Sequence, residues 1–273
     1  MPDWTLDHTT PTPAGTVHWT AHGHGDPVVL LHGTPFSSRV WHATATALSA
    51  HHTVYLWDLP GFGASRGTDL PDVSLPAQQA AFTALLRHWG LDRPSVVAHD
   101  IGGAIALRTT LLDAIAYRRL ALLDAVALRP WGSGFFRLVH DNPEVFPALP
   151  ADLHEALVRA YIASGTHTAP APDYTDALVR PWLGEQGQRA FYRQIAHADQ
   201  EHTRQVEDRY GDLDIPVVVA WGTEDRWLPA EHARRLAAAI PHARLEWIEG
   251  AGHLVQHDAP DRLAALLTDF LGP

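Results

Sequence analysis

The chain has 273 residues, a length that at about 150 residues per domain predicts one or two domains. Hydrophobic residues make up 46% of the sequence, enough for a full-sized core, and the formal net charge is −11. So acidic a chain is a poor partner for nucleic acid or an anionic membrane surface. Cysteine and lysine are both absent. Their absence excludes disulfides, thiol nucleophiles, Schiff-base enzymes and P-loop ATPases.

No apolar run reaches the roughly 18 residues of a membrane span, and the N-terminal residues lack the basic and apolar parts of a secretory signal. We therefore expect a cytoplasmic protein with no membrane association. The 19 histidines do not follow metal-site spacing: none of their clusters forms a His-Glu-x-x-His helix or has a third ligand nearby. We expect no metal and no cofactor. The expected partner is a small-molecule substrate, and a homodimer is compatible with the sequence.

Short apolar runs alternate with helical patterns along most of the chain. The runs predict strands at 17–21, 28–31, 53–57, 95–98, 120–123, 217–221 and 244–248. Helical patterns lie at 75–89, 104–115, after Pro229 and at 259–271. Continuous apolar runs are typical of strands buried on both faces, and the alternation indicates a mainly parallel central sheet with helices on both faces.

One long segment, from Arg129 to Tyr210, breaks this alternation. It has no strand candidate, and seven prolines separate helical pieces such as 153–163 and 186–198. We interpret residues 129–210 as a helical insertion between two core strands, large enough to cover the carboxyl edge of the sheet. The remaining residues, 1–128 and 211–273, would form the core domain.

The loops at the carboxyl ends of the predicted strands carry the chemistry, because ligands of parallel sheets bind there. The sharpest motif is Ala-His-Asp-Ile-Gly-Gly at 98–103. A strand, a small-x-Asp-x-Gly-Gly turn and a helix form the nucleophile-elbow pattern, with Asp100 in place of serine. The small residues allow strand and helix to pack closely, so that the Asp100 side chain projects above the sheet. The simpler alternative, a helix N-cap, does not require the flanking glycines.

Four further motifs follow other strands in a fixed order: His-Gly-Thr-Pro at 32–35, Gly-Phe-Gly-Ala-Ser at 61–65, Asp225 and His253. Together with the elbow they resemble the aspartate-nucleophile branch of the α/β-hydrolase superfamily, which contains epoxide hydrolases and haloalkane dehalogenases. The resemblance covers nearly the whole chain. It implies an α/β-hydrolase fold in which the helical insertion is a cap domain.

The resemblance also implies roles for these residues. Asp100 would be the nucleophile, His253 the base that activates water, and Asp225 the acid that orients His253; Asp124 and Glu224 are the alternative acids. A carboxylate is already ionised at pH 7, so Asp100 needs no base to attack an alkyl carbon and form an ester. Hydrolysis of that ester would need the histidine.

The backbone N–H groups of Thr34 and Ile101 would form the oxyanion hole. These two residues also bear on the leaving group. Haloalkane dehalogenases hold halide with side-chain donors, a tryptophan after the nucleophile and an asparagine or second tryptophan, and neither Thr34 nor Ile101 supplies one. Ile101 likewise cannot replace the arginine that follows the nucleophile in fluoroacetate dehalogenases.

An epoxide hydrolase instead needs a proton donor for the ring oxygen, which in that family comes from cap tyrosines. Tyr192 is the first candidate, ahead of Tyr161, Tyr174 and Tyr210. We therefore expect an epoxide hydrolase, with a hydrolytic haloalkane dehalogenase as the alternative. A protein that binds a small molecule without turnover is a third reading, which the complete set of candidate catalytic residues disfavours.

Five further residues are candidates for substrate binding. They lie in the His-Gly-Thr-Pro motif, in the helical insertion and just after Asp225: His32, Pro35, Trp131, Trp182 and Trp227. For His32 a bracing role within its loop is the stronger expectation, and Pro35 fits a cis-proline turn. For each tryptophan the alternative is packing between insertion and core.

Overall fold

The computed structural model describes residues 5–67 and 72–272. Within these ranges the core is an eight-stranded sheet with the order β1-β2-β4-β3-β5-β6-β7-β8. The β1–β2 and β2–β4 pairs are antiparallel, and the other five pairs are parallel. The strands are β1 His8–Thr12, β2 Gly15–Gly23, β3 Asp26–Leu31, β4 His52–Trp57, β5 Ser95–His99, β6 Arg119–Leu123, β7 Val217–Gly222 and β8 Arg244–Ile248.

All seven predicted strands are confirmed: six of them lie inside the sheet, and the seventh, β8, forms one of its edges. Every residue of β5 and β7 is buried, as expected for parallel strands covered on both faces. The prediction missed β1, whose sequence His-Thr-Thr-Pro-Thr is polar and contains a proline. This strand lies at the edge of the sheet, where proline is tolerated and only Thr10 is buried.

The sheet is flanked by helices. In the described part of the chain they are α1 His42–Leu48, α2 Leu75–His88, α3 Ile101–Leu112, α4 Gly134–Asp141, α5 Ala151–Ser164, α6 Pro172–Val179, α7 Gly184–Ala196, α8 Glu201–Glu207, α9 Ala230–Ala239, α10 Val255–Asp258 and α11 Pro260–Leu271. Helix α2 packs on α3, and α1 packs on α11. None of these helices is both long and apolar enough to cross a bilayer.

The helical insertion contains α4 to α8, and between β6 and β7 the structure has no strand among its described residues. Hydrogen bonds tie the two ends of this insertion together. Arg129 Nε donates to Glu207 Oε1 at 3.0 Å, and Trp131 Nε1 donates to Thr203 Oγ1 at 2.9 Å. The insertion therefore leaves and rejoins the core at neighbouring points; its exact limits at 129 and 210 stay a prediction.

Candidate active site

Asp100 lies in the turn between β5 and α3 with φ 54° and ψ −124°. A positive φ is uncommon for a residue with a side chain and persists only where the surroundings enforce it. Asp100 occupies the N-cap position of α3, but its side chain makes no capping hydrogen bond to that helix. The carboxylate is nevertheless buried, with 4% of the residue exposed. A buried carboxylate raised above the sheet in this way is typical of a nucleophile elbow.

Two glycines allow the backbone to approach the elbow closely. A Cβ atom at Gly103 would lie 2.6 Å from Ala125 Cβ, and one at Gly33 would clash with the Asp100 side chain. The first contact brings α3 against the chain that follows β6. The second lets the turn after β3 pass directly beside Asp100.

His253 connects Asp100 to a second carboxylate. Its Nδ1 lies 3.0 Å from Asp225 Oδ2, and its Nε2 lies 3.4 Å from Asp100 Oδ2. Asp225 is held by the backbone, because Oδ1 accepts hydrogen bonds from Trp227 N at 2.7 Å and Leu228 N at 3.1 Å. The structure thus brings together the three residues that follow β5, β7 and β8. Of the candidate acids, Asp225 is the one hydrogen-bonded to His253.

Burial and charge act in opposite directions on this pair. Burial alone would lower the pKa of His253, but the Asp225 charge and the contact with Asp100 outweigh it and raise that pKa well above its usual value. Burial would likewise raise the pKa of Asp225, yet His253 and two backbone N–H groups hold it below the ordinary range. In the resting site an imidazolium therefore lies between two carboxylates.

Thr34 supplies a backbone donor to Asp100. Its N–H donates to Asp100 Oδ1 at 2.7 Å, and the Thr34–Pro35 peptide bond is cis. The Thr34 hydroxyl points away from Asp100 and donates to Gln194 Oε1. Ile101 is the first residue of α3, and its side chain borders the space above Asp100. The role of the Ile101 N–H in an oxyanion hole stays a prediction.

A small cavity of about 30 Å³ lies above Asp100, with room for one or two water molecules. Core residues form one wall: Thr34, Asp100, Ile101, Val126, Trp227 and Leu228. The insertion forms the other: Trp131, Gly132, Ser133, Phe136 and Tyr161. Asp100 is the one charged side chain in this lining. The site is therefore apolar apart from Asp100, its neighbour Thr34 and two hydroxyl groups of the insertion.

Two of the three candidate tryptophans line the cavity, but both indole N–H groups are used elsewhere. Trp131 Nε1 donates to Thr203, and Trp227 Nε1 donates to Ser164 Oγ at 2.9 Å. Trp182 is not in the lining; its Nε1 donates to Pro35 O at 2.8 Å. For Trp182 the expectation of substrate contact is replaced by packing, because its ring lies between core and insertion.

Neither His32 nor Pro35 lines the cavity, and His32 takes the bracing role that was the stronger expectation for it. His32 Nε2 accepts a hydrogen bond from Leu59 N at 2.9 Å, and its Nδ1 donates to Gly33 O at 3.0 Å. The ring therefore braces the turns after β3 and β4. Pro35 contributes its carbonyl group to the contact with Trp182.

Tyr192 lies elsewhere than expected. It is buried but does not line the cavity, and its hydroxyl lies 3.0 Å from His154 Nδ1. Because His154 Nε2 donates to Trp182 O, Nδ1 of the neutral ring accepts a hydrogen bond from the Tyr192 hydroxyl. Tyr161 takes the expected place, since it lines the cavity together with Asp100. The four tyrosines lie on different elements, and their spacing alone could not distinguish them.

The sequence analysis also missed a role for His99, the residue before Asp100. His99 is fully buried, and its Nε2 donates to His253 O at 2.8 Å. Burial, followed by the positive charge of His253, lowers the pKa of His99 to about 3. The ring is therefore neutral and anchors the loop that carries His253 to the elbow. Its place beside Asp100 in the motif was the available signal.

The chain is similar to known α/β hydrolases over nearly its full length. Residues 28–266 match the sequence pattern of the alpha/beta hydrolase family. A crystal structure of an alpha/beta hydrolase fold protein from Burkholderia ambifaria is 43% identical with a TM-score of 0.93, covering 97% of this chain and 98% of that one. Haloalkane dehalogenase 2 of Mycobacterium tuberculosis is 25% identical, covering 94% of this chain and 92% of that protein.

The epoxide hydrolase CorEH has the same fold, with a TM-score of 0.84 at 21% identity and 97% of each chain covered. At that identity the likeness shows the fold alone. The family match and the Burkholderia structure go further, and they confirm the architecture expected from the motifs. This chain belongs to the alpha/beta hydrolase family.

Proposed function

We propose that this alpha/beta hydrolase opens a small, uncharged epoxide to a diol through an ester on Asp100. The observation that carries the proposal is a single cavity with a buried carboxylate on one side and a tyrosine on the other. Asp100 is placed by the elbow and by Thr34, while Tyr161 comes from α5 of the helical insertion. Nucleophile and proton donor thus approach a substrate from opposite walls.

In the first step Asp100 attacks a ring carbon, and the carbon–oxygen bond of the epoxide breaks. The ring oxygen becomes an alkoxide and takes the proton of the Tyr161 hydroxyl. Burial, followed by the negative charge of Asp100, raises the pKa of Tyr161 well above its usual value. The phenol is therefore protonated in the free protein. Attack consumes the Asp100 charge, which makes the phenolate easier to form as the alkoxide develops.

In the second step His253 acts as a base. Ester formation removes the charge of Asp100 and leaves His253 with Asp225 as its remaining carboxylate neighbour, so its pKa falls. The proton that His253 loses restores the Tyr161 phenol through cavity water. Neutral His253 then takes a proton from the water that attacks the Asp100 carboxyl carbon. The Thr34 N–H stabilises the oxyanion, and the diol leaves with an Asp100 carboxylate restored.

The cavity lining supports a small and neutral substrate. Asp100 would repel an anionic group, and no arginine in the lining could hold one. At about 30 Å³ the cavity is too small for most organic molecules, so binding requires the side chains of the insertion to move outward. Trp131, Phe136 and Tyr161 are the large rings on that wall.

The occupied indoles argue against halide release. A leaving halide needs N–H donors that point into the cavity. The indole N–H groups of Trp131 and Trp227 already donate to Thr203 and Ser164 instead. The similarity to a haloalkane dehalogenase nevertheless makes halide release the alternative to test. Binding without turnover would leave the cluster of Asp100, His253 and Asp225 without use.

A panel of small neutral epoxides and matched bromoalkanes, scored for diol and for bromide, tests the proposal. We expect diol from at least one epoxide and little bromide from any bromoalkane. Bromide release without epoxide turnover would move the assignment to a dehalogenase. Saturable binding of both classes, without either product, would favour a binding protein. The Asp100→Asn variant is the control for background hydrolysis.

A further inference from the structure

A second buried carboxyl group lies behind His253 and has no part in the two steps above. Asp124 follows β6, is fully buried and has a φ of 40°. Its Oδ1 accepts a hydrogen bond from Gly222 N at 2.9 Å. Its Oδ2 is buried without a hydrogen-bond partner among the described residues. A carboxyl oxygen of Asp124, one of Asp225 and a ring nitrogen of His253 all lie within 4.8 Å of one another.

Two carboxyl groups this close and this buried cannot both be ionised at little cost. Asp225 has three donors: two backbone N–H groups and His253. Asp124 has one, from Gly222. The negative charge is therefore better stabilised on Asp225. The proton belongs on Asp124 Oδ2. When protonated, this oxygen becomes a hydroxyl that can donate a hydrogen bond, whereas as a carboxylate oxygen it would remain unsatisfied.

The other ionisable groups around this pair agree with that placement. Asp100 faces the opposite nitrogen of His253, and His99 on the neighbouring strand is neutral. With Asp124 ionised, three carboxylates would surround one imidazolium. Burial, followed by the charge of Asp225, raises the pKa of Asp124 well above its usual value.

We propose that Asp124 is a neutral carboxylic acid that shares one negative charge with Asp225 behind His253, and that it ionises when Asp225 loses its charge. Asp124 is then a positioning residue: its hydroxyl faces the Asp225 carboxylate, which in turn orients His253. The inference rests on the proposed function only in pairing Asp225 with His253, and it does not depend on the substrate.

The first test observes the proton directly by carbon-13 NMR of protein labelled at the aspartate carboxyl carbons. The signal missing from Asp124→Asn identifies Asp124. We expect that signal to stay at its protonated position between about pH 5 and pH 7, and its midpoint to fall by more than one pH unit in Asp225→Asn. The exposed neighbour Glu224 supplies the control, because Glu224→Gln should leave the midpoint unchanged. An ionised Asp124 at pH 5, or the same midpoint in Asp225→Asn, overturns the proposal.

The second test needs no variant of Asp225. A carboxyl group with a raised pKa in the folded state binds its proton more tightly there than in the unfolded chain. Wild type should therefore lose stability relative to Asp124→Asn as the pH rises above about 4, by up to tenfold in the unfolding constant per pH unit. Parallel pH curves would mean that Asp124 ionises equally in both states and would overturn the proposal. Neither test uses a substrate, so their failure leaves the epoxide assignment untouched.

Discussion

Trp227 stacks on Tyr161 with ring centroids 4.5 Å apart and 17° between the planes. Trp227 belongs to the loop after β7, and Tyr161 belongs to α5 of the insertion. The same indole lies 4.7 Å from the His253 ring, and the Trp227 backbone N–H donates to Asp225. One residue therefore joins the acid–histidine pair to the tyrosine on the opposite wall of the cavity. A shift of the insertion would therefore move both Tyr161 and the Asp225–His253 pair.

The position of Tyr161 leads to a prediction about the first step. Tyr161→Phe keeps the ring that stacks on Trp227 but removes the proposed proton donor, so alkylation of Asp100 should slow by about 10²-fold or more. Tyr192→Phe is the matched control: its hydroxyl donates to His154, and the rate should stay close to wild type. Single-turnover kinetics with an accepted epoxide measure both. A slow Tyr192→Phe beside a normal Tyr161→Phe would return the acid role to Tyr192.

The nucleophile can be identified by isotope labelling. Asp100→Ala should abolish turnover while the circular dichroism spectrum stays unchanged, because the elbow geometry comes from the backbone around it. Single turnover of wild type in heavy-oxygen water should place the label in the Asp100 carboxyl group, since water attacks the ester there. Peptides containing other aspartates serve as the internal control. Label in the product with an unlabelled Asp100 would indicate direct attack by water.

His253 should serve mainly the second step, because Asp100 attacks without a base. His253→Gln should therefore still be alkylated, and the ester should persist. Intact-mass spectrometry should show an adduct equal in mass to the substrate, and Asp100→Asn should show none. A His253→Gln protein that gives neither an adduct nor a burst with a proven substrate would contradict this division of roles.

The buried His99 predicts a change of stability with pH. Its folded-state pKa is about 3, whereas the unfolded imidazole titrates near 6.5, so only the unfolded state takes up the proton between these values. The stabilisation is complete above about pH 6.5 and is lost as the pH falls. Relative to His99→Gln, wild type should lose roughly 1 kcal/mol of unfolding free energy per pH unit below that point. Urea unfolding at several pH values measures the difference, and a constant offset would refute it.

Most of the sheet was predictable because its signals are local. A central parallel strand is apolar on both faces, so runs such as Val28–Leu31 identify it without knowledge of its neighbours. The edge strand β1 lacks that signal. Solvent lies on one side of it instead of another strand, so polar residues and a proline are tolerated at that position. Short helices such as α4 and α8 were not predicted, because a helix of only about two turns shows too few repeats of its hydrophobic pattern.

The sequence by itself determined the elbow at Asp100 and the order of the strand-end loops that carry Asp225 and His253. A turn of this kind needs particular small residues at fixed spacing, and the carboxyl ends of parallel strands necessarily meet at one edge. Only the tertiary structure decided which tyrosine faces Asp100, where the indole N–H groups of Trp131 and Trp227 donate, and that Asp124 lies beside Asp225. These depend on how the insertion packs on the core and on side-chain directions between distant segments, which no local pattern encodes.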